Sequence, residues 1–396
     1  TGTVTIAGTI NTTNTQMDLG AITLAAVTTL DTGNAAAGIL NVGAVTSGTN
    51  ALTLDSGSTG GATIGLTSFA DATGGLTIRD AGGLATIGAV GSGASGDVTI
   101  TDSQAGVTFS STVNAGILLL TDTTGTVTAQ GDLVATTLTT ANAGYNVQFD
   151  EDVTITNDVS FLNAGAVTLG SANDDVMLFG GGINTAGAGT NPSGTTLAGI
   201  LRTSADQVDL GAVTLGANSV IDSTNNGGSG VGAAINIASV DADDAGSNDR
   251  TLTLNSGTGG AIAVSGAIGS TQALAGLDVT NSNGAAFSGA VTVNDGSGVL
   301  DVSDTEDNQD VTFGGDVAAV TLTTTANLYD LVFQEDVTVT NDVTFAAIRN
   351  LDLGGATDDT ATFTGGLDTT AATGTVTIAG TINTTNTQMD LGAITL

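Results

Sequence analysis

The sequence predicts an all-β chain wound as an elongated parallel β-solenoid, a β-helix built from tandem repeats, and three observations carry that expectation. Residues 1–24, TGTVTIAGTINTTNTQMDLGAITL, recur letter for letter as residues 373–396. Short apolar alternations such as VTI (4–6), AITL (21–24), LTL (52–54), LTI (76–78), VTF (107–109) and VTL (167–169) return about every ten to twelve residues. Between them stand Gly, Asn, Asp, Ser and Thr, which turn a chain by tolerating positive φ or by bonding their own backbone.

The exact recurrence defines the largest unit. Residues 1–372 form one full period and residues 373–396 open the next, so neither terminus is expected to be a natural end. Inside the period lies a diverged duplication, with half-repeats at about 1–190 and 191–372 in one continuous solenoid. Residues 127–185 align without a gap to 311–369 at an offset of 184, setting Tyr145, Phe149, Phe161 and Phe179 against Tyr329, Phe333, Phe345 and Phe363. The offset is 191 for QMDLGAITL (16–24) against QVDLGAVTL (207–215), and 200 for LTLDSG (52–57) against LTLNSG (252–257). Length changes therefore collect between strand blocks, as expected if the blocks pack and the intervals are surface.

Two architectures match this spacing, the solenoid with about two strands per coil and a string of β-sandwich domains. Sandwiches usually bury Trp or Tyr and carry loop prolines, whereas this chain has no Trp, two Tyr and one Pro. Asn157-Asp158, between the runs VTI and VSF, reads equally as a hairpin turn or a solenoid corner. With coils of about 20–23 residues, one period holds about 16–19 coils and stacks to about 75–90 Å.

Composition limits function. A net charge of −35, with Arg79, Arg202, Arg250 and Arg349 as the only cations, opposes nucleic-acid binding and attraction to anionic membranes. Hydrophobic residues at 40% are too many for a disordered acidic tail. No run is long enough to span a membrane. Without Cys or His there is no thiol nucleophile, no Ser-His-Asp triad and no usual zinc site.

The phrases GAVTLG (165–170 and 211–216), DVTFGGDV (310–317) and TLTTTAN (321–327) resemble the β-strand-repeat regions of giant bacterial surface proteins, filamentous-haemagglutinin-like and autotransporter-type adhesins with parallel β-helices. The resemblance implies secretion, a rod, and a structural or adhesive role at the cell surface. It covers nearly the whole chain but rests on composition and rhythm, and neither a secretion cap nor a membrane barrel lies in these residues.

Candidate chemistry is sparse. Asp174-Asp175 and Asp358-Asp359 could be taken for an acid–base pair, but adjacent strand residues face opposite ways and the pair recurs in both half-repeats as a turn would. GSGVGAA (228–234) lacks the strand-turn-helix setting of a dinucleotide site. Calcium is the better candidate. Asp241, Asp243 and Asp249 share an EF-hand-like spacing with Gly246 at position 6, although Ala245 at position 5 and Leu252 at position 12 depart from it. Asp304 and Asp307 lie in a second acidic cluster, DVSDTEDNQD (301–310). An ice-binding face of T-x-T pairs needs Thr in coil-by-coil register, which the shifting Thr contexts do not suggest. The expected function is a structural unit of an extracellular filament or surface fibre, not an enzyme. It requires no cofactor, and its partner is further copies of itself. A carbohydrate-binding adhesin stalk is the alternative, and a β-helix enzyme acting on polysaccharide a more distant one.

Overall fold

A three-residue run such as Val107-Thr108-Phe109 can bury its outer two side chains and turn the middle one to solvent, because successive strand residues face opposite sides. That is the burial found there and at Val167–Leu169, in a computed structural model describing residues 4–71, 73–91, 96–187, 192–243, 250–303 and 305–396. Among the described residues every regular element is a β-strand, and the strand ladders are parallel. The antiparallel contact present is an isolated bridge between Ser204 and Thr224. Parallel pairing excludes the β-sandwich alternative, whose neighbouring strands run antiparallel. Both parts of the chain are β-solenoid, with about 16 turns in all among the described residues.

The molecule divides into two compact units, residues 1–195 and 196–396. In the first, Asn146–Phe149, Val153–Ile155 and Val159–Ser160 make one coil, and Val167–Leu169, Val176–Phe179 and Ile183–Asn184 stack on it strand for strand. A coil thus carries three strands, not two. The extra strand escapes the sequence rhythm because only Asp150-Glu151-Asp152 separates it from the strand before. Asn157-Asp158 is a corner: the strands on either side of it pair with neighbouring coils and not with each other.

The second unit repeats the pattern. Asp330–Phe333, Val337–Val339 and Val343–Thr344 lie under Asn350–Leu353, Thr360–Phe363 and Leu367–Asp368. Tyr145, Phe149, Phe161 and Phe179 are all buried, as are their counterparts Tyr329, Phe333, Phe345 and Phe363. Phe161 meets Phe179 edge to face at 6.2 Å, and Phe345 meets Phe363 in the same way at 6.3 Å. The related coils are therefore packed alike despite their sequence drift.

One difference between the units is informative. Ala129 lies beside Phe149 in the first, but its counterpart in the second is Phe313. Phe287, Phe313 and Phe333 then stack with centroids 5.0 and 5.1 Å apart and planes 11° and 10° from parallel. Strand spacing of about 4.8 Å dictates that distance, so stacking comes with no adjustment of the backbone.

Corners follow a local rule visible in Asp31-Thr32-Gly33, Asp55-Ser56-Gly57 and Asn255-Ser256-Gly257. The first side chain turns out and accepts the N–H of the glycine two residues on, at 2.8, 2.8 and 3.2 Å. The middle hydroxyl turns in, is fully buried, and donates to a backbone carbonyl: Thr32 to Gly38, Ser56 to Ala62 and Ser256 to Gly260. Ser103 and Ser223 do likewise, donating to Gly106 and Ala233. The glycines hold φ of +81°, +73° and +67°. A Cβ on Gly57 would lie 2.4 Å from the Gly33 carbonyl oxygen in the coil beneath.

Two substitutions test this packing. Gly57→Ala should destabilise the fold by about 2 kcal/mol or more, seen as a lower guanidinium midpoint, since it combines positive φ with a backbone clash. Phe313→Ala should cost about 3–5 kcal/mol, and Phe313→Leu clearly less, because a filled column loses less contact than an emptied one.

Candidate functional site

Parallel stacking sets each residue directly over its equivalent, so the corner rule that makes Asp turn outward also builds columns of carboxylates. Asp31 pairs in register with Asp55, and Asp55 with Asp80. Asp102 and Asp122 continue the same electrostatic series. Arg79 runs along this column, ion-paired to Asp55 and 3.5 Å from Asp31. A surface cavity of about 250 Å³ is lined by Asp31, Asp55 and Asp80 with Gly33, Asn34 and Gly57.

The other three cations are spent in the same way. Arg202 approaches Asp222 at 3.9 Å. Arg250 grips Asp243 through Nε at 2.8 Å and Nη2 at 3.1 Å. Arg349 binds both oxygens of Asp330 at 2.6 Å and reaches Asn308 as well. All four arginines thus neutralise carboxylates of the chain itself, against 39 acidic residues.

Elsewhere neutral donors replace arginine. Asn41 donates to Asp18 and Asn236 to Asp209, each at 2.7 Å across adjacent coils. Asn157 and Asn341, at equivalent positions of the two half-repeats, donate to the Thr137 and Thr321 hydroxyls at 2.8 Å. The unit of this lattice is a donor over an acceptor. Thr29, Thr53, Thr77 and Thr99 do stack in register, closer to an ordered threonine column than the sequence suggests. Their outward neighbours two residues on include Asp31, Asp55 and Arg79, so no uniform T-x-T face results.

Where compensation fails, protonation shifts. Burial, reinforced by Asp301 in the next coil, pushes Asp278 up to about 6, and one of its carboxyl oxygens is buried without a hydrogen-bond partner. Burial also raises Asp80 and Asp102, with further push from neighbouring carboxylates. The Arg250 hydrogen bond holds Asp243 below the usual carboxylate range. At Asp330 burial pulls upward, but the hydrogen bonds and charge of Arg349, with Asn350, outweigh it. Burial drives the Tyr145 hydroxyl up to about 12, where it donates to Leu120 O and accepts from Ala141 N–H.

Asp175 and Asp359 are nearly buried and accept two backbone N–H groups each, from Ser171 and Ala172 and from Gly355 and Ala356, at 2.7–2.9 Å. They tie turns. Asp241 accepts the Thr271 N–H at 2.9 Å, and Asp307 the Leu328 N–H at 3.2 Å. Asp249 and Asp304 lie outside the described residues. Among the described residues no group of three acidic side chains is set to hold a metal ion. A groove of about 560 Å³ in the first unit is lined by Asn41, Thr67, Thr86 and Ser110 around Gly43 and Gly88, with no charged group.

The carboxylate columns escaped the sequence reading, although their signal was present. Asp or Asn before Ser or Thr recurs at 31, 55, 102, 122, 222, 255 and 281, but only the register of the coils shows that these positions stack.

Stability should follow from these shifts with opposite signs. Asp278 binds its proton more tightly folded than unfolded, so its contribution favours the fold at low pH and is lost as pH rises from about 4 through about 6. Asp330 and Asp243, held low, contribute above the ordinary carboxylate range and lose that contribution on further acidification. Thermal unfolding should therefore show a maximum near pH 4–5, and Asp278→Asn should raise stability at pH 7 by about 1 kcal/mol while flattening the fall between pH 4 and 6.

No known protein family, curated protein or solved structure matches the chain.

Proposed function

We propose that this chain is a structural building block of an extracellular filament or surface fibre, an acidic β-solenoid whose copies join head to tail. The observation that carries the reading is that the coil-on-coil lattice absorbs the chain's chemistry. Aliphatic and aromatic columns fill the interior, corner hydroxyls bond backbone carbonyls, and every arginine pairs with a carboxylate of a coil. Little is left to form a reactive centre. The absence of His, Cys and Lys from the sequence is consistent with that.

The remaining negative charge has a physical use in such an object. A stack of parallel coils exposes backbone along its corners, and dense carboxylates there discourage sideways pairing between neighbouring stacks. The same charge keeps nucleic acid and anionic lipid away. Similarity in phrase and rhythm to the strand-repeat regions of giant bacterial surface proteins supports placement outside the cell.

A second reading has one specific observation in its favour. The groove around Gly43 and Gly88 offers neutral hydroxyl and amide groups of the kind that bind sugars, which suits an adhesin stalk. Its lining includes no aromatic ring for a sugar to stack on, and the structural reading is preferred.

Electron microscopy of native material tests the proposal. An axial repeat of about 75–90 Å per 372-residue period is expected. A beaded string of separate globules would overturn it.

A further inference from the structure

Asparagine is common in this chain, but a hydroxyl two residues after it is rare. Residues 1–372 hold 26 asparagines, and Ser and Thr make up 97 of the 396 residues, so about six asparagines should meet a hydroxyl at any given distance. Six do at one residue on and eight at three residues on, whereas only two do at two residues on. Those two are Asn11-Thr12-Thr13 and Asn191-Pro192-Ser193. Strand geometry favours the opposite, because residues two apart share a face and an outward asparagine should be followed by another outward polar group. The corner rule accounts for Asn255, where Gly257 takes the position, but not for the strand residues Asn41, Asn146 and Asn236. Asparagine two residues before Ser or Thr, with any residue but proline between, is the acceptor signal for N-glycosylation. Pro192 closes that signal at Asn191, which leaves one open acceptor in the 372-residue period, Asn11, and its repeat in Asn383-Thr384-Thr385.

Both occurrences point outward. Asn11 ends the strand Val4–Asn11 and Asn383 lies in Thr381–Thr384. In each case the chain then enters a turn, in which Asn14 and Asn386 hold φ of +58° and +56°. Asn11 and Thr13 are exposed, and so are Asn383 and Thr385. Register shows that this direction does not come from the ends of the sequence. Asn11 stands in the column of Asp31, and Asn383 in that of Thr362 and Thr338. Asp31 and Thr338 have a coil on either side and still reach solvent.

From these observations we infer that Asn11, with its repeat Asn383, is the N-glycan attachment site of this chain. The donor is a glycosyl diphosphate, nucleotide-linked or lipid-linked. The side-chain amide nitrogen forms a bond to the anomeric carbon of the sugar, and the bond from that carbon to the diphosphate oxygen breaks. The diphosphate leaves with the electron pair, and the amide proton passes to a base of the transferase. No oxidant or reductant takes part. An uncharged, strongly hydrated group is thereby added once per 372-residue period, at a position in register with Asp31 and, through it, with Asp55. The inference goes beyond the structural reading and does not depend on it, since the sugar is attached whether or not the copies form a filament.

Peptide mapping of native material by mass spectrometry tests the site. Digestion at aspartate followed by fragmentation should place sugar on the first asparagine of TINTTNTQM (9–17 and 381–389) in at least half of the copies. The other asparagines should carry none, Asn14, Asn191 and Asn386 included. A single hexose identifies a nucleotide-linked donor and a preassembled oligosaccharide a lipid-linked one, and either supports the site. In the native host, chains with Thr13→Ser and Thr385→Ser should keep the sugar, whereas Thr13→Ala with Thr385→Ala should reduce it ten-fold or more. An unmodified peptide in native material, sugar spread over other asparagines, or sugar retained by the alanine chain overturns the site. Native filaments without the sugar remove the site and keep the filament, whereas sugar on native chains that form no filament removes the filament alone.

Discussion

Parallel coils force like onto like. Each position of a coil lies about 4.8 Å from its equivalent above and below, so where equivalent residues share their chemistry it is repeated along a column. For apolar residues the repetition is favourable, as in Leu52, Leu76 and Val98 or in the rings of Phe287, Phe313 and Phe333. For carboxylates it is costly. The rest of the structure can be understood as the consequence of both signs of that constraint.

The corners show how the cost arises and how it is contained. Asp serves at a corner because its carboxylate accepts the N–H two residues on, where Ser or Thr turns inward and Gly takes positive φ. That local benefit, repeated coil after coil, brings Asp31, Asp55 and Asp80 into line. An arginine lying along the column, an asparagine set beside a carboxylate, or a bound proton are the three forms of relief present. Arg79, the Asn41–Asp18 rung and Asp278 exemplify them. The four arginines are accordingly structural groups, and their number is small because solvent screens most of the outward charge.

Repetition also explains how the half-repeats could drift while keeping one packing. A coil sees only its neighbours, so a change such as Ala at 129 against Phe at 313 is absorbed within one column and leaves the next undisturbed. Length changes are absorbed at corners. The edge-to-face pairs Phe161–Phe179 and Phe345–Phe363 keep nearly the same geometry on either side of that divergence. The identical residues 4–24 and 376–396, which adopt one conformation beside different neighbours, are the limiting case of the same locality.

The sequence by itself determined that the chain is all-β, repeated at two scales, acidic, and turned by Asp, Asn, Ser and Gly, because strand alternation, β-branching and corner chemistry are local properties of a few adjacent residues. It also set Tyr145 and Tyr329, with their companions, at matched positions of the two half-repeats. Only the tertiary structure decided that each coil has three strands, that Asn157-Asp158 is a corner, and that Asp31, Asp55 and Asp80 share a column. Those facts depend on register between coils some twenty residues apart, and a one-residue slip would send every side chain of a strand to the other face. Register is a property of the stack, and no single coil contains it.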